Sequence, residues 1–342
     1  MRSSWILFLS AALALCSVGC GDGNHDQPAA PSFTWKAIEQ NLDTALFSVW
    51  GTSDSDVWAV GGDMRDGTGP LVIHYNGRKW SRVQTGQASG SLWWVFGFAN
   101  GPIYMGGAGG MILRYEGGDF TLMTTPGVET VYGLWGSSAT DMWAVGGNDG
   151  GNDGGFAWRL QSDDTWAAAP SVPTDVTTNA AIWKIYGTAA DDAWLVGSNG
   201  VSLHWDGAAL SPGDTGVGSS LFTVHAQGGL YAAVGGLVSG IIVEYDGQWT
   251  DVTPSPQPNA LTGVCLGKSG SGYAVGSLGA VYRRSSTGWK EVNTDLSIDG
   301  NLHSVWMDQK GGVWAVGGQT FSEPFSDGVL IHGGTTHPSG GL

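Results

Sequence analysis

Short apolar runs that end in glycine return along this chain at intervals of about forty residues. The clearest is Val57-Trp58-Ala59-Val60-Gly61. It returns as Ile103-Tyr104-Met105-Gly106, Met142-Trp143-Ala144-Val145-Gly146, Ala193-Trp194-Leu195-Val196-Gly197, Ala232-Ala233-Val234-Gly235, Tyr273-Ala274-Val275-Gly276 and Val313-Trp314-Ala315-Val316-Gly317. Ahead of each copy lies another run, with an aliphatic residue at Val49, Val95, Leu134, Ile185, Val224, Val264 or Val305. Behind each lies a third, through His74-Tyr75, Arg114-Tyr115, Arg159-Leu160, His204-Trp205, Glu244-Tyr245, Arg283-Arg284 and His332. A fourth, marked by Trp80, Phe120, Trp166, Leu210, Trp249 or Trp289, completes all units but the last. Enrichment in β-branched and aromatic residues, with glycine at the ends, predicts short strands, four to a unit. Asn76-Gly77, Asp206-Gly207 and Asp246-Gly247 mark hairpins between the third and fourth strands, and the dipeptides predict type I′ turns.

Seven such units predict an all-β fold, a seven-bladed β-propeller of four-stranded blades. The last unit lacks a fourth strand, and the N-terminus supplies one. Trp35-Lys36-Ala37-Ile38 matches Trp289-Lys290-Glu291-Val292 in residue type and spacing. The N-terminal strand is therefore expected to join the last blade and close the ring, which removes the open sheet edge. The propeller is assigned to 33–333 and a disordered tail to 334–342.

Residues 1–19 read as a targeting segment, with Arg2 at its charged start and an apolar stretch from Trp5 to Leu15. That stretch is short for a membrane span. The segment resembles a bacterial lipoprotein leader, with Ser17-Val18-Gly19-Cys20 in the lipobox position and Cys20 as the acylated residue; Ser17 stands where leucine is usual. Ordinary secretion is the alternative. Residues 20–32 then read as a flexible tether. Gly21 after the cysteine points to an outer-membrane protein, facing the periplasm or the cell surface.

The formal charge is −16, with 14 Lys and Arg against 30 Asp and Glu. This balance excludes a nucleic-acid binder, which needs clustered cations. Once the leader is removed and Cys20 acylated, Cys265 is the remaining thiol, so no internal disulfide is expected.

Propeller geometry puts the inter-blade links and the turns between strands two and three on one face. The long insertions at 62–70, 147–155 and 318–328 all fall there, and binding concentrates on long loops carried by a rigid scaffold. They carry Asp63, Asp66, Asp149, Asp153, Glu323 and Asp327 against Arg65. A face of one sign favours cationic partners, and a solubilising surface is the plain alternative. Asn148 to Gly155 has the oxygen-rich look of a calcium loop but lacks the EF-hand spacing. Calcium is the one cofactor left open.

Most of the 18 tryptophans recur at fixed unit positions and read as packing between blades. Trp93 and Trp94 break that pattern beside a loop, so they join the acids as candidate partner-binding residues. His225 and Cys265 take the place of Trp50, Trp135 and Trp306 on adjacent inner strands. With no third ligand or orienting acid they read as fillers of a core gap. Lys184, alone at its inner-strand position, reads as a side chain reaching into the channel.

The Val-Trp-Ala-Val-Gly and Ile-His-Tyr-Asn-Gly-x-x-Trp units resemble those of tectonin-type and sialidase-like (BNR, or Asp-box) repeat propellers. They are also similar to the propellers of photosystem-II assembly factors. The Asp-box itself is unmatched; Ser53-Asp54-Ser55-Asp56-Val57-Trp58 comes nearest. Two functions follow as expectations. One is a lipid-anchored, monomeric envelope scaffold that holds a protein through its acidic loops. The other, implied by the tectonin resemblance, is a lectin-like module for surface glycans. A glycosidase or lyase would need an arginine cluster at the channel mouth or a carboxylate pair. Neither stands out, and the chain is expected not to be an enzyme.

Overall fold

The computed structural model describes residues 32–148, 153–174 and 178–342. The leader, Cys20 and Asp149 lie outside the described residues, as does the tether up to Pro31. Seven four-stranded antiparallel sheets form seven blades, each ordered from its first strand outward. The innermost strands are Leu46–Ser53, Leu92–Gly97, Thr130–Ser138, Ile182–Ala189, Leu221–Gln227, Leu261–Leu266 and Asn301–Met307. In blade 7 the outermost strand is Thr34–Leu42, which pairs with Ser326–Gly334 with Trp35 opposite Gly333. The expected ring closure is present. Gly333 is required there, because a Cβ would lie 2.9 Å from the Trp35 ring.

The second strands are buried on both faces, which explains why they read as unbroken apolar runs rather than alternating ones. Their tryptophans wedge against the following blade. Trp58 lies 4.7 Å from Tyr115, Trp143 5.1 Å from Trp205, Trp194 5.2 Å from Tyr245 and Trp314 5.9 Å from Tyr75. Each wedge also carries the third-strand residue of its own blade. His74 stacks on Trp58 at 4.1 Å, and the Arg159 guanidinium stands 4.3 Å over Trp143. A carboxylate on the first residue of the second strand ties these residues down. Asp56 accepts from Trp58 Nε1 at 3.1 Å and pairs with His74 Nε2 at 2.7 Å. Asp192 pairs with His204 Nε2 at 2.8 Å, and Asp141 with Arg159. His74, His204 and Arg159 are thus scaffold.

Two local expectations change. In the Asn76-Gly77 and Asp206-Gly207 hairpins only the glycine has positive φ (83° and 90°), so the turns are not type I′. Asn76 Oδ1 accepts the amides of Arg78 and Lys79, and Asp206 Oδ1 those of Ala208 and Ala209. The side chain bonds the turn itself and relieves the residue of left-handed backbone. The tail at 334–342, expected to be disordered, is placed against the ring. His337 bonds Thr34 Oγ1 at 2.9 Å and meets His332 Nδ1 at 3.1 Å, while the Leu342 amide donates to Glu39.

Candidate functional site: the loop face and channel mouth

Each inner strand is interrupted by a bulge two residues from its loop-face end. The pairing jumps from Leu46–Gly61 to Ser48–Val60, and the same jump occurs in the other six blades. A bulge re-aims its extra residue. Here those residues are Phe47, Trp93, Tyr132, Trp183, Phe222, Thr262 and His303. Six are aromatic rings, and they form a nearly continuous floor. Phe47 stacks on Trp93 at 4.1 Å, Trp93 meets Tyr132 at 5.5 Å, Tyr132 meets Trp183 at 5.0 Å, and Trp183 meets Phe222 at 5.6 Å. His303 lies 5.5 Å from Phe47, and Phe325 of the blade 7 insertion caps Phe47 edge-on at 4.8 Å. Trp93 therefore does not break the repeat. It is the blade 2 member of this ring, half-buried rather than projecting into solvent.

Trp94 also turns inward, to a half-buried position where Nε1 donates to Leu134 O at 3.1 Å. Beside it lies Lys184, which is buried, with Nζ 4.5 Å from the Trp94 ring centre and donating to Tyr132 O at 2.6 Å. Burial pulls the Lys184 amine down to about 7. His303 donates Nδ1–H to Phe47 O at 2.6 Å, and burial together with the Lys184 charge lowers it to about 4.

At the other end of the channel the structure brings His225 and Cys265 together, with Nε2 3.8 Å from Sγ. His225 Nδ1 accepts the Leu266 amide at 3.1 Å, so the neutral ring keeps its proton on Nε2, facing the sulfur. Burial lowers the imidazole to about 3 and raises the thiol to about 12. A neutral pair with the proton between its members is the reverse of an activated thiolate.

The acidic candidates divide by what they bond. Asp63 holds its own loop, accepting the Arg65 amide at 2.9 Å and the Gly90 amide at 2.8 Å. Asp66 accepts the Thr68 hydroxyl and amide, which hold its carboxyl below the usual carboxylate range. Glu323 pairs with Arg65. Asp153 accepts Asn148 Nδ2 at 2.9 Å and Asp327 accepts Ser326 Oγ at 2.7 Å. Asp327 also lines, with Asp299, a polar groove of about 410 Å³ between the blade 6 link and blade 7. Among the described residues no group of three or more His, Cys, Asp or Glu gathers as a metal site. Sequence reasoning missed the apolar part of this face. Val128, Leu237, Val238, Leu278 and Phe321 are exposed on its links and turns. The Leu237-Val238 pair inside a Gly-Ser turn was the available signal.

No family model matches the chain, and no curated protein matches it. Solved structures do match. Virginiamycin B lyase from Staphylococcus aureus superposes with TM-score 0.67 at 14% identity, over 87% of this chain and 99% of that one. YCF48 bound to D1 peptide gives 0.63 at 12% identity, over 87% and 96%. The WD40 β-propeller domain of Doa1 gives 0.60 at 14% identity, over 87% and 96%. At these identities the likeness is one of fold. It corrects one expectation, that the chain is not an enzyme, because a lyase is built on this ring and the missing motifs do not exclude catalysis. The chain is a seven-bladed propeller of an architecture that serves both binding proteins and enzymes.

Proposed function

We propose that this chain is a protein-binding propeller whose loop face seats a polypeptide segment combining cationic with apolar side chains. The observation that carries this reading is the loop face itself. Leu237 (67% exposed), Val238 (82%), Leu278 (70%) and Phe321 (53%) stand out on adjacent blades 5, 6 and 7. Around them Asp214, Asp299 and Asp327 have no cationic partner among the described residues. Exposed apolar side chains rimmed by polar ones mark association sites, and unneutralised acids of one sign select cations. YCF48 with a D1 peptide is a precedent for peptide binding on the fold. Held by a lipid at Cys20, the ring would present this face within the envelope. A glycan platform is less well supported. Trp93 has one face on Phe47, and Trp94 lies beneath Lys184.

The test is fluorescence anisotropy of the full chain with labelled peptides that vary charge and apolar content independently. Peptides that pair Lys or Arg with Leu or Phe should bind, and added salt should weaken them. Leu237→Asp with Leu278→Asp should cost about tenfold in affinity, the scale of losing one anchoring contact. Equal binding of acidic or wholly polar peptides, or indifference to the double substitution, refutes the reading.

A further inference from the structure

Positive charge is spread unevenly around the ring. From Leu92 to Asp251, the span of blades 2 to 5, the only cations are Arg114, Arg159 and Lys184. Arg114 and Arg159 pair with carboxylates, and Lys184 is buried. Blades 6, 7 and 1 carry the other described cations. Six of them, Lys36, Arg78, Lys79, Lys268, Arg283 and Lys290, are exposed, and none pairs with a carboxylate among the described residues. All six stand at the compact-turn end of their blades. Arg78 and Lys79 follow Asn76-Gly77, and Lys268 lies in the turn between Leu261–Leu266 and Gly272–Gly276. Arg283 and Lys290 lie on either side of the turn at 285–288, and Lys36 lies near the start of Thr34–Leu42. Arg283 is directly opposite Lys290 across the ladder. Like charges so placed cost stability, and an anion between them relieves that cost. The carboxylates at this end are mostly engaged, Asp54 with Lys310, Asp56 with His74, and Asp308 with the Trp314 indole. Glu291, beside Lys290 on the opposite face of its strand, is not. On blades 2 to 5 the same end carries the exposed Glu116, Asp119, Asp163, Asp191, Asp206 and Asp246.

We propose that the compact-turn face of blades 6, 7 and 1 docks on an anionic phospholipid surface. Charge complementarity calls for an anionic partner, and the path of the chain selects a membrane over a soluble polyanion. Residues 1–31 join the ring at Ser32, beside Thr34, at this same end of blade 7. A lipid at Cys20 would hold the face within about 40 Å of the bilayer, the full reach of the intervening residues. Next to the junction Phe33 is 43% exposed although its ring stacks on Tyr273 at 6.5 Å. An apolar ring among cations suits the boundary between headgroups and acyl chains. The orientation rests on the lipid-anchor reading, whereas the contact with lipid does not. A total charge of −16 does not prevent it. Salt screens charges beyond about 8 Å at physiological ionic strength, so the lipid senses the nearest cations rather than the sum. The acidic turns of blades 2 to 5 oppose flat docking, and contact is made through the edge formed by blades 6, 7 and 1. The acidic loop face, at the opposite end of every blade, stays turned away from the lipid and open to a cationic partner.

Residues 32–342 form one compact unit that contains every blade and the closing strand, so the ring can be tested without leader or lipid. The experiment is co-sedimentation with vesicles of phosphatidylcholine alone, or of phosphatidylcholine and phosphatidylglycerol in equal parts. The ring should sediment with the anionic vesicles and not with the neutral ones, and added salt should release it. Each cation at the surface is worth about fivefold in affinity. Changing Arg78, Lys79, Arg283 and Lys290 together to Gln should therefore weaken binding by at least about a hundredfold. These side chains are exposed, so the circular dichroism melt should be unchanged. Asp299→Asn with Asp327→Asn, on the loop face, should leave vesicle binding intact. Sedimentation with neither vesicle, equal sedimentation with both, or binding to polyglutamate but not to anionic vesicles overturns the proposal. Each of those outcomes leaves the peptide reading of the loop face standing, because that reading is measured with peptides and loop-face substitutions.

Discussion

Between blades 5 and 6 the tryptophan wedge is missing, because Ala232 occupies the position of Trp58 and Trp194. An ion pair stands in its place. The Glu244 carboxylate accepts Arg284 Nε at 2.6 Å and Nη2 at 2.8 Å, and Trp289 Nε1 at 2.6 Å. Arg284 Nη1 donates to Gly270 O at 2.6 Å. The two charged side chains are only 13% and 19% exposed, and the Glu244 bond holds the guanidinium pKa above its ordinary value. Glu244→Ala would leave a half-buried cation with one carbonyl acceptor and an indole N–H with none. Exposed pairs are worth about 0–1 kcal/mol, whereas orphaning one member of a buried pair costs about 3–5 kcal/mol. Some exposure remains, so the lower end, about 3 kcal/mol, is expected. With unfolding entropy near 2.1 cal/mol/K per residue, a ring of roughly 300 residues should lose about 5 °C in Tm. The assay is thermal unfolding followed by circular dichroism, for Glu244→Ala, Arg284→Ala and the paired change Glu244→Leu with Arg284→Met. Each single substitution should destabilise, and the paired apolar change should recover most of the loss. Shifts below about 1 °C for both single variants, or a paired loss equal to their sum, would refute the argument that this contact is coupled and buried.

Further expectations rest on other parts of the ring. Trp143, fully buried and wedged on Trp205, should cost about 3–5 kcal/mol when changed to Ala, read as a lowered denaturant midpoint. His225, His303 and His332 are held at about 3, 4 and 4 in the fold against 6.5 for a free imidazole. Within that window the unfolded chain binds protons that the folded chain refuses, so stability is fully present above about pH 6.5 and falls on acidification towards 4. Thermal melts from pH 7.5 to 4 should show this slope, and His225→Phe should flatten it. Asp56 and Asp192 titrate below the usual Asp value, Asp56 chiefly through its bond to His74 and Asp192 through His204, Thr188 and Tyr231 against its own burial. Their contribution is present above about pH 4 and lost as pH falls through the folded pKa, so Asp192→Asn should lessen acid destabilisation below pH 4. Deleting residues 32–42 should open blade 7 and produce concentration-dependent association through the exposed Ser326–Gly334 edge, measured by light scattering.

The number of blades, their four strands, the ring closure and the scaffold role of the repeated tryptophans were legible in the sequence. Each rests on a residue type recurring at one spacing, and recurrence survives in one dimension. The loop face could also be assigned, since topology alone sends the insertions at 62–70 and 318–328 to one side. The channel floor could not be read. A bulge adds one residue without a signature, and the residues it re-aims (Phe47, Trp93, Tyr132, Trp183, Phe222, Thr262, His303) share no single type. For that reason Trp93 looked anomalous when it was a ring member. The meeting of Trp94 with Lys184 was likewise out of reach. It joins residues of blades 2 and 4 across a glycine of blade 3, and only the circular packing of the blades brings those side chains within 4.5 Å. Charge counts on the loops could not separate Asp63 and Asp66, spent on their own loop amides and hydroxyls, from Asp299 and Asp327, which line an open groove. Sequence periodicity determined the scaffold, because every blade must solve the same packing problem. Tertiary structure alone decided the site, because it lies where the blades differ and where side chains distant in the chain converge.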